Sequence, residues 1–381
     1  MLEVILTICG ILGGLAAIDY FWGKWYTAAI VQGLLKKLRP KSSFIEQPDC
    51  TVPLDSPFYV ERPPIESDCY EAIIRPDALI RIKAPGQMGK SSLMERILHH
   101  AKQHGARVVS FSFKQADSAI FEDINDFLQW FCVTVTRKLG LSADKVISHW
   151  MDFLGSKDNC TDYFQKCLLA EIPSSLTLGL DEVDEIFKYP NIAKDFLGLL
   201  RTWHEQGKTE EAWKKLRLVI VHSKEVYIPL DINQSPFNVG LPVELPELTQ
   251  AQVEDLVRRY GLNWTVTQVE QLMKMVGGHP YLVQAALYQI ARERTTLKQL
   301  LQLAPTEEGL YYAHLRRHSL NMKEDSDNLV AAMKLIVAAN NPVEIDEKST
   351  FKLRSMGLVK SQGNAVMPLC DLYRHYFRTR L

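Results

Sequence analysis

The stretch Ile80-Arg81-Ile82-Lys83-Ala84-Pro85-Gly86-Gln87-Met88-Gly89-Lys90-Ser91-Ser92-Leu93 decides the fold. A run from Ala78 to Ile82 reads as a short strand, feeds a glycine-containing turn, and the turn ends in Gly-Lys-Ser at the head of a helical pattern. Strand, turn and helix in that order make a phosphate-binding loop. Amides of the turn and of the helix N-terminus converge on an anion and Gly89 lets backbone approach it. Lys90 reaches the outer phosphates, and the Ser91 hydroxyl can ligate Mg²⁺. Gly86, Gln87, Met88, Gly89, Lys90, Ser91 and Ser92 are therefore the candidate nucleotide-binding residues. One position departs from G-x-x-x-x-G-K-[ST]: the first glycine falls on Ala84, which must keep to angles an L-residue tolerates, and Gly86 is expected to supply the flexibility instead.

The second informative stretch is Leu176-Thr177-Leu178-Gly179-Leu180-Asp181-Glu182-Val183-Asp184, a buried strand ending in acids. Phosphoryl transfer places an acid at the carboxyl end of the strand beside the phosphate loop to hold the Mg²⁺ shell, and uses its neighbour to orient or deprotonate water. Those roles fall to Asp181 and Glu182, with Asp184 behind them. A further strand, Leu216 to His222, ends in Ser223, the candidate group to feel the γ-phosphate, with His222 as second choice. Between these lie a strand over Ala106 to Phe113 and a helix over Phe121 to Leu139, with apolar positions 124, 127, 128, 131 and 135 on one face. The alternation predicts an α/β core, a parallel sheet with helices on both faces. In the Pro-rich entry to it, Phe58, Tyr59, Glu61 and Arg62 are candidates to line the base.

The chain's 381 residues suffice for several domains, and 44 Lys plus Arg against 45 Asp plus Glu give no global electrostatic reason to bind nucleic acid. Seven scattered cysteines without a C-x-x-C pair read as reduced thiols rather than a zinc site. Val4 to Ile18 is apolar without interruption, aromatic residues Tyr20, Phe21, Trp22, Trp25 and Tyr26 follow, and the nearby cations lie C-terminal to the run. This pattern predicts a single-pass or interfacial anchor in the cytoplasmic membrane, with the phosphate loop in the cytosol. The expected organisation is an anchor with a basic amphipathic segment (1–42), a P-loop core (43–247), a helical lid (248–322) and a C-terminal winged helix (323–381).

The helical lid pattern begins after a Pro-rich connector. It includes Gly277-Gly278-His279-Pro280-Tyr281 opening a helix through Ala291. The winged helix is read from helices over 329–339 and 348–356, followed by two short strands around Gly363. The loop A-P-G-Q-M-G-K-S, D-E-V-D at 181–184, the connector ending L-P-E-L-T and G-G-H-P-Y together resemble the AAA-like domain family of cyanobacterial type, related to STAND P-loop ATPases, over about residues 45–381. That resemblance implies ATP or ADP with Mg²⁺ as cofactors, and places Gly278 and Pro280 near adenine. The tail Leu369-Cys370-Asp371 weakly resembles the Met-His-Asp motif with which such winged helices sense ADP, with Cys370 at the position of the histidine. The expected function is a membrane-anchored ATP-binding switch of slow turnover, self-associating with nucleotide state and acting on an unidentified protein partner. The alternatives are a DNA-associated AAA-type ATPase and a nucleotide-binding scaffold without turnover.

Overall fold

Five parallel strands, β1 (Leu79–Lys83), β2 (Arg107–Ser112), β3 (Leu176–Asp181), β4 (Leu216–His222) and β5 (Leu241–Glu244), form a sheet in the order β2-β3-β4-β1-β5. The computed structural model describes residues 46–48, 51–223, 236–324 and 328–381. The chain divides after Glu46, and residues 47–381 form one compact unit. The apolar run Val4 to Ile18 and the basic segment after it lie outside the described residues. No helix among the described residues is long and apolar enough to cross a membrane.

The period-two alternation of side chains along a strand splits the apolar residues between two cores. Ile80, Ile82, Val219 and Val221 pack with α1 (Ile65–Ile73) and α2 (Lys90–Gln103) on one face. Leu176, Leu178, Leu180, Leu218 and Ile220 pack on the other face with α3 (Ile124–Lys138) and α4 (Pro190–Gln206). Gly179 lies between Leu178 and Leu180, and a Cβ there would sit 2.6 Å from Leu98 Cδ1 of α2. Its missing side chain is what lets α2 lie close to the sheet.

The strand order corrects one expectation. Asp181 does not end the strand beside β1: β4 lies between β1 and β3. Parallel strands nevertheless end on one edge, so residues from β1, β3 and β4 meet there although β1 and β3 share no hydrogen bond.

Helices follow: α5 (Gln250–Arg259), α6 (Val266–Val276), α7 (Pro280–Ala291), α8 (Leu297–Leu303) and α9 (Tyr312–Glu324). Three begin with the same device. Thr249, Thr265 and Thr296 each accept from the backbone three residues on, and Gln252, Gln268 and Gln299 reach back to close the capping box. The chain then forms α10 (Leu329–Ala338), α11 (Glu347–Ser355), an antiparallel hairpin of β6 (Val359–Gln362) and β7 (Ala365–Pro368), and α12 (Asp371–Arg380). Val343 bridges to Val366 at the edge of this hairpin. Leu369-Cys370-Asp371 and the residues after them lead into a helix. They open α12, which buries Leu372, Tyr373, Tyr376 and Phe377 and packs on α10 and on α6.

Candidate functional site

The loop between β1 and α2 takes its shape from two left-handed residues, Gln87 at φ 65° and Gly89 at φ 94°. Gly86 is not one of them, and a Cβ there would meet nothing within 4 Å. The flexibility expected of Gly86 is thus supplied at Gln87, a non-glycine residue for which this conformation is strained. Ala84 keeps ordinary angles, as its side chain requires.

Gly89 has no side chain with which to cap α2, so the helix presents bare amides to the loop. Lys90 is buried, and its Nζ donates to Ala84 O at 2.9 Å and Pro85 O at 2.8 Å. Burial pushes its ammonium down to about 8, partly offset by Asp184, Asp181 and Glu182. Ser91 Oγ donates to Asp181 Oδ2 at 2.6 Å. Burial raises the Asp181 carboxyl above its ordinary range against the pull of that bond. A hydroxyl and a carboxylate oxygen side by side, on a loop ending in a free ammonium donor, form an oxygen-donor set that fits a nucleotide with Mg²⁺.

Glu182 is also left-handed, at φ 55°, and its N–H donates to Asp181 Oδ1 at 2.8 Å. Its carboxylate accepts from Ser112 Oγ and pairs with Lys114 Nζ. Burial would raise this carboxyl, but the bonds from Lys114 and Ser112 outweigh it and hold it below the ordinary value. Sequence reading missed both partners. Their one signal was position, since polar groups at the carboxyl ends of parallel strands face the crevice where ligands bind.

A cavity of about 350 Å³ opens beside the loop, lined by Tyr59, Arg62, Gln87, Gly89, Lys90, Ser91, Ser92, Glu182, Leu248, Pro280, Tyr281 and Gln284. Arg62 is buried, donates from Nη2 to Met88 O at 2.9 Å, and has no protein partner for Nε or Nη1. Its backbone N–H and the Tyr59 hydroxyl both donate to Glu66 at 2.8 Å, which fixes the entry segment against α1. Pro280 lines the cavity. Gly278 instead faces the backbone: a Cβ there would lie 2.4 Å from Leu248 O. Phe58 packs on the ring of Tyr260, 4.3 Å between centroids, and Glu61 accepts from Gln252 through its carbonyl.

Several candidates lie elsewhere. Ser223 lines a separate cavity of about 670 Å³ on the Ala84 and Pro85 side, with Arg354, Gly357 and Lys360, and its N–H donates to Asp184 Oδ1 at 2.8 Å. His222 is buried against Phe237, with ring centroids 4.8 Å apart. Cys370 is buried beside Gly277, where an added Cβ would approach the Cys370 Cβ at 3.0 Å, and it does not line the loop cavity. Nor did the sequence disclose three buried histidines behind the loop. His279, His314 and His318 lie 5.6 and 4.6 Å apart in turn.

A parallel sheet ordered β2-β3-β4-β1-β5, with a Gly-Lys-Ser loop after β1 and an Asp-Glu pair after β3, defines a P-loop NTPase fold. This chain belongs to the AAA-like domain family, whose model matches residues 47–379. An uncharacterised WD repeat-containing protein of Synechocystis sp. is 20% identical over 326 residues, covering 77% of this chain and 27% of that protein. The chain therefore spans only about a quarter of this relative's length. Among solved structures, a Walker-type ATPase of Pyrococcus abyssi matches with a TM-score of 0.58 at 13% identity, over 84% of this chain and 95% of that one, and so shares its fold. Weaker likenesses include the Aeropyrum pernix ORC2 protein (TM-score 0.47, 14% identity, 83% and 93% of the two chains). A STAND protein with a tetratricopeptide repeat sensor from Pyrococcus horikoshii also matches (TM-score 0.38, 15% identity, 88% and 44%).

Proposed function

We propose that this chain is an ATP-binding switch of slow turnover, in which nucleotide state sets the arrangement of core, lid and C-terminal module and promotes self-association. The observation that supports it most is the convergence of Lys90, Ser91, Asp181 and Glu182 on one edge of the sheet. ATP when bound supplies the phosphoryl group, and Mg²⁺ neutralises its charge. Lys90 exchanges the Ala84 and Pro85 carbonyls for phosphate oxygens, while Ser91 and Asp181 are the residues to hold the metal. Glu182 can orient and deprotonate water only after leaving Ser112 and Lys114, so the expected turnover is slow. The same pairing favours the second reading, a scaffold that binds nucleotide without turnover.

We read the helix, helix, hairpin and helix after residue 328 as a winged helix that closes on the core in one nucleotide state. Residues 1–42 complete this reading as a membrane anchor, with the core in the cytosol. Flotation with and without those residues tests it, and unchanged membrane association on deletion removes the anchor.

Phosphate release and particle size, measured with and without ATP for wild type and Glu182→Gln, test the switch. Turnover should fall about a hundredfold or more in Glu182→Gln, the usual loss for a missing general base, with the ATP-dependent change in particle size retained. Wild-type turnover in the variant removes Glu182 from its role. ATP that alters neither particle size nor conformation sinks the switch.

A further inference from the structure

The face of the phosphate loop turned toward the lid is held by groups that the nucleotide chemistry above does not use. The Gln87 side-chain oxygen accepts two hydrogen bonds from α9: His314 Nδ1 lies 2.9 Å away and Arg317 Nη2 2.7 Å. Arginine only donates, so the atom it meets is the amide oxygen, and His314 Nδ1 must carry its proton. Nε2 of the neutral ring is then an acceptor, and the Tyr373 hydroxyl of α12, 2.9 Å away, donates to it. His314 and Tyr373 are 5% and 1% exposed, so no bulk water competes for the bond between them. Their rings also stack, with centroids 5.9 Å apart. Next to them, the His279 ring lies 5.6 Å from that of His314. The loop is thus gripped from the lid at Gln87, and that grip continues into the C-terminal helix.

We infer that His314 is a positioning residue for the phosphate loop, and that the chain Gln87–His314–Tyr373 carries the occupancy of the loop to α12. This rests on the nucleotide-binding reading and adds the route by which that state reaches the C-terminal module. The differential contact a switch requires is present at the loop. Lys90 bonds the carbonyls of residues 84 and 85. A phosphate that draws Lys90 away frees those carbonyls, and the turn leading into Gln87 relaxes. Gln87 is left-handed and strained, so its backbone follows whichever set of contacts holds it. Because His314 accepts from Tyr373 only while it donates to Gln87, a shift of the amide oxygen is passed on with a fixed polarity. Tyr373 is the α12 residue placed to receive it, since Cys370 at the head of that helix is turned toward Gly277.

Hydrogen exchange of the α12 amides, measured on the full chain with and without saturating ADP and alongside an ADP titration, tests the route. In wild type, ADP should change α12 exchange by at least about fivefold, the lower range of measured coupling between sites. Tyr373→Phe removes one hydroxyl. It should shift ADP affinity by less than about tenfold, as the loss of one neutral hydrogen bond does, and abolish the ADP-dependent change in α12. His314→Phe keeps a ring in place and should abolish it as well. The inference is overturned if wild type binds ADP with no change in α12, or if both variants keep the wild-type response. Failure of wild type to bind ADP at all, read from the titration alone, overturns the nucleotide reading together with it.

Discussion

The phosphate loop is held from two sides by different chemistry. On the strand side the partners are charged: a buried Lys90 faces Asp181 and Glu182, and the Lys114–Glu182 pair beside it is partly hydrated, with side chains 58% and 33% exposed. On the lid side a half-buried Gln87 is linked by directional bonds to the neutral, buried His314 and Tyr373, with the Arg317 guanidinium donating to the same oxygen from the exposed side. The difference separates two tasks. Charges near water can trade one partner for another as a phosphate arrives, because solvent screens the intermediate arrangements. Neutral bonds in a dry interior have no such substitute, so they transmit geometry and resist exchange.

Removing the loop's ammonium gives the largest expected effect. Lys90→Ala takes away a buried charge aimed at phosphate, which costs about 2–5 kcal/mol of binding, or at least about thirtyfold in Kd for ADP by calorimetry. An affinity close to wild type would break the comparison, because charge would then not be what the strand side contributes.

Acid attacks the other side. Burial, the first cause in each case, pushes His279 from 6.5 down to about 4 and His318 down to about 3, and it holds His314 well below its ordinary value. Arg317 adds to the depression of all three, and Lys90 to that of His279. The folded pKa lies below the unfolded one, so the unfolded chain takes up protons first. The contribution is complete above about pH 6.5 and is lost as pH falls toward the folded values. For His279 alone the loss between pH 7 and pH 4 is on the order of 3 kcal/mol. Urea midpoints across that range should fall steeply, and His318→Phe should flatten the slope. A midpoint independent of pH would mean that the cluster is wet, and the contrast between the two sides would disappear.

Lys114→Met gives the smallest effect on stability. An exposed pair contributes under about 1 kcal/mol, so the thermal midpoint should hardly move. ATP turnover should rise, because Glu182 loses one of its two restraints. Unchanged turnover would show that the pair does not hold Glu182 back, and would sharpen the strand side to Lys90 alone.

Much of the core could be read from the residues because its signals are local. Gly89-Lys90-Ser91 follows an apolar strand, Asp181-Glu182 ends another, and Pro280 opens a helix after two glycines. The capping boxes at Thr249, Thr265 and Thr296 are equally local, each a Thr followed three residues later by Gln, and they were missed. What stayed hidden depends on pairs distant in sequence. Nothing near Asp181 says that β4 separates its strand from β1, because that is settled by which apolar faces pack together. Ser112 and Lys114 lie about 70 residues from Glu182, and Gln87 lies 227 residues from His314. His-Leu-Arg-Arg-His at 314–318 fits no motif, and read alone it is an ordinary basic helix face. The left-handed turn fell on Gln87 rather than Gly86, and the bonds to the Gln87 side chain come from far along the chain.

At Gly357 the C-terminal module comes so close to the loop that a Cβ would lie 2.8 Å from Pro85 Cβ. The contact distance there is set by an omission, one missing methyl group, rather than by an attraction. If the module closes onto the loop as proposed, this contact is a steric stop independent of phosphate, charge and protonation. A larger residue at this position would strain a left-handed backbone, φ 73°, and press on Pro85 from the module side.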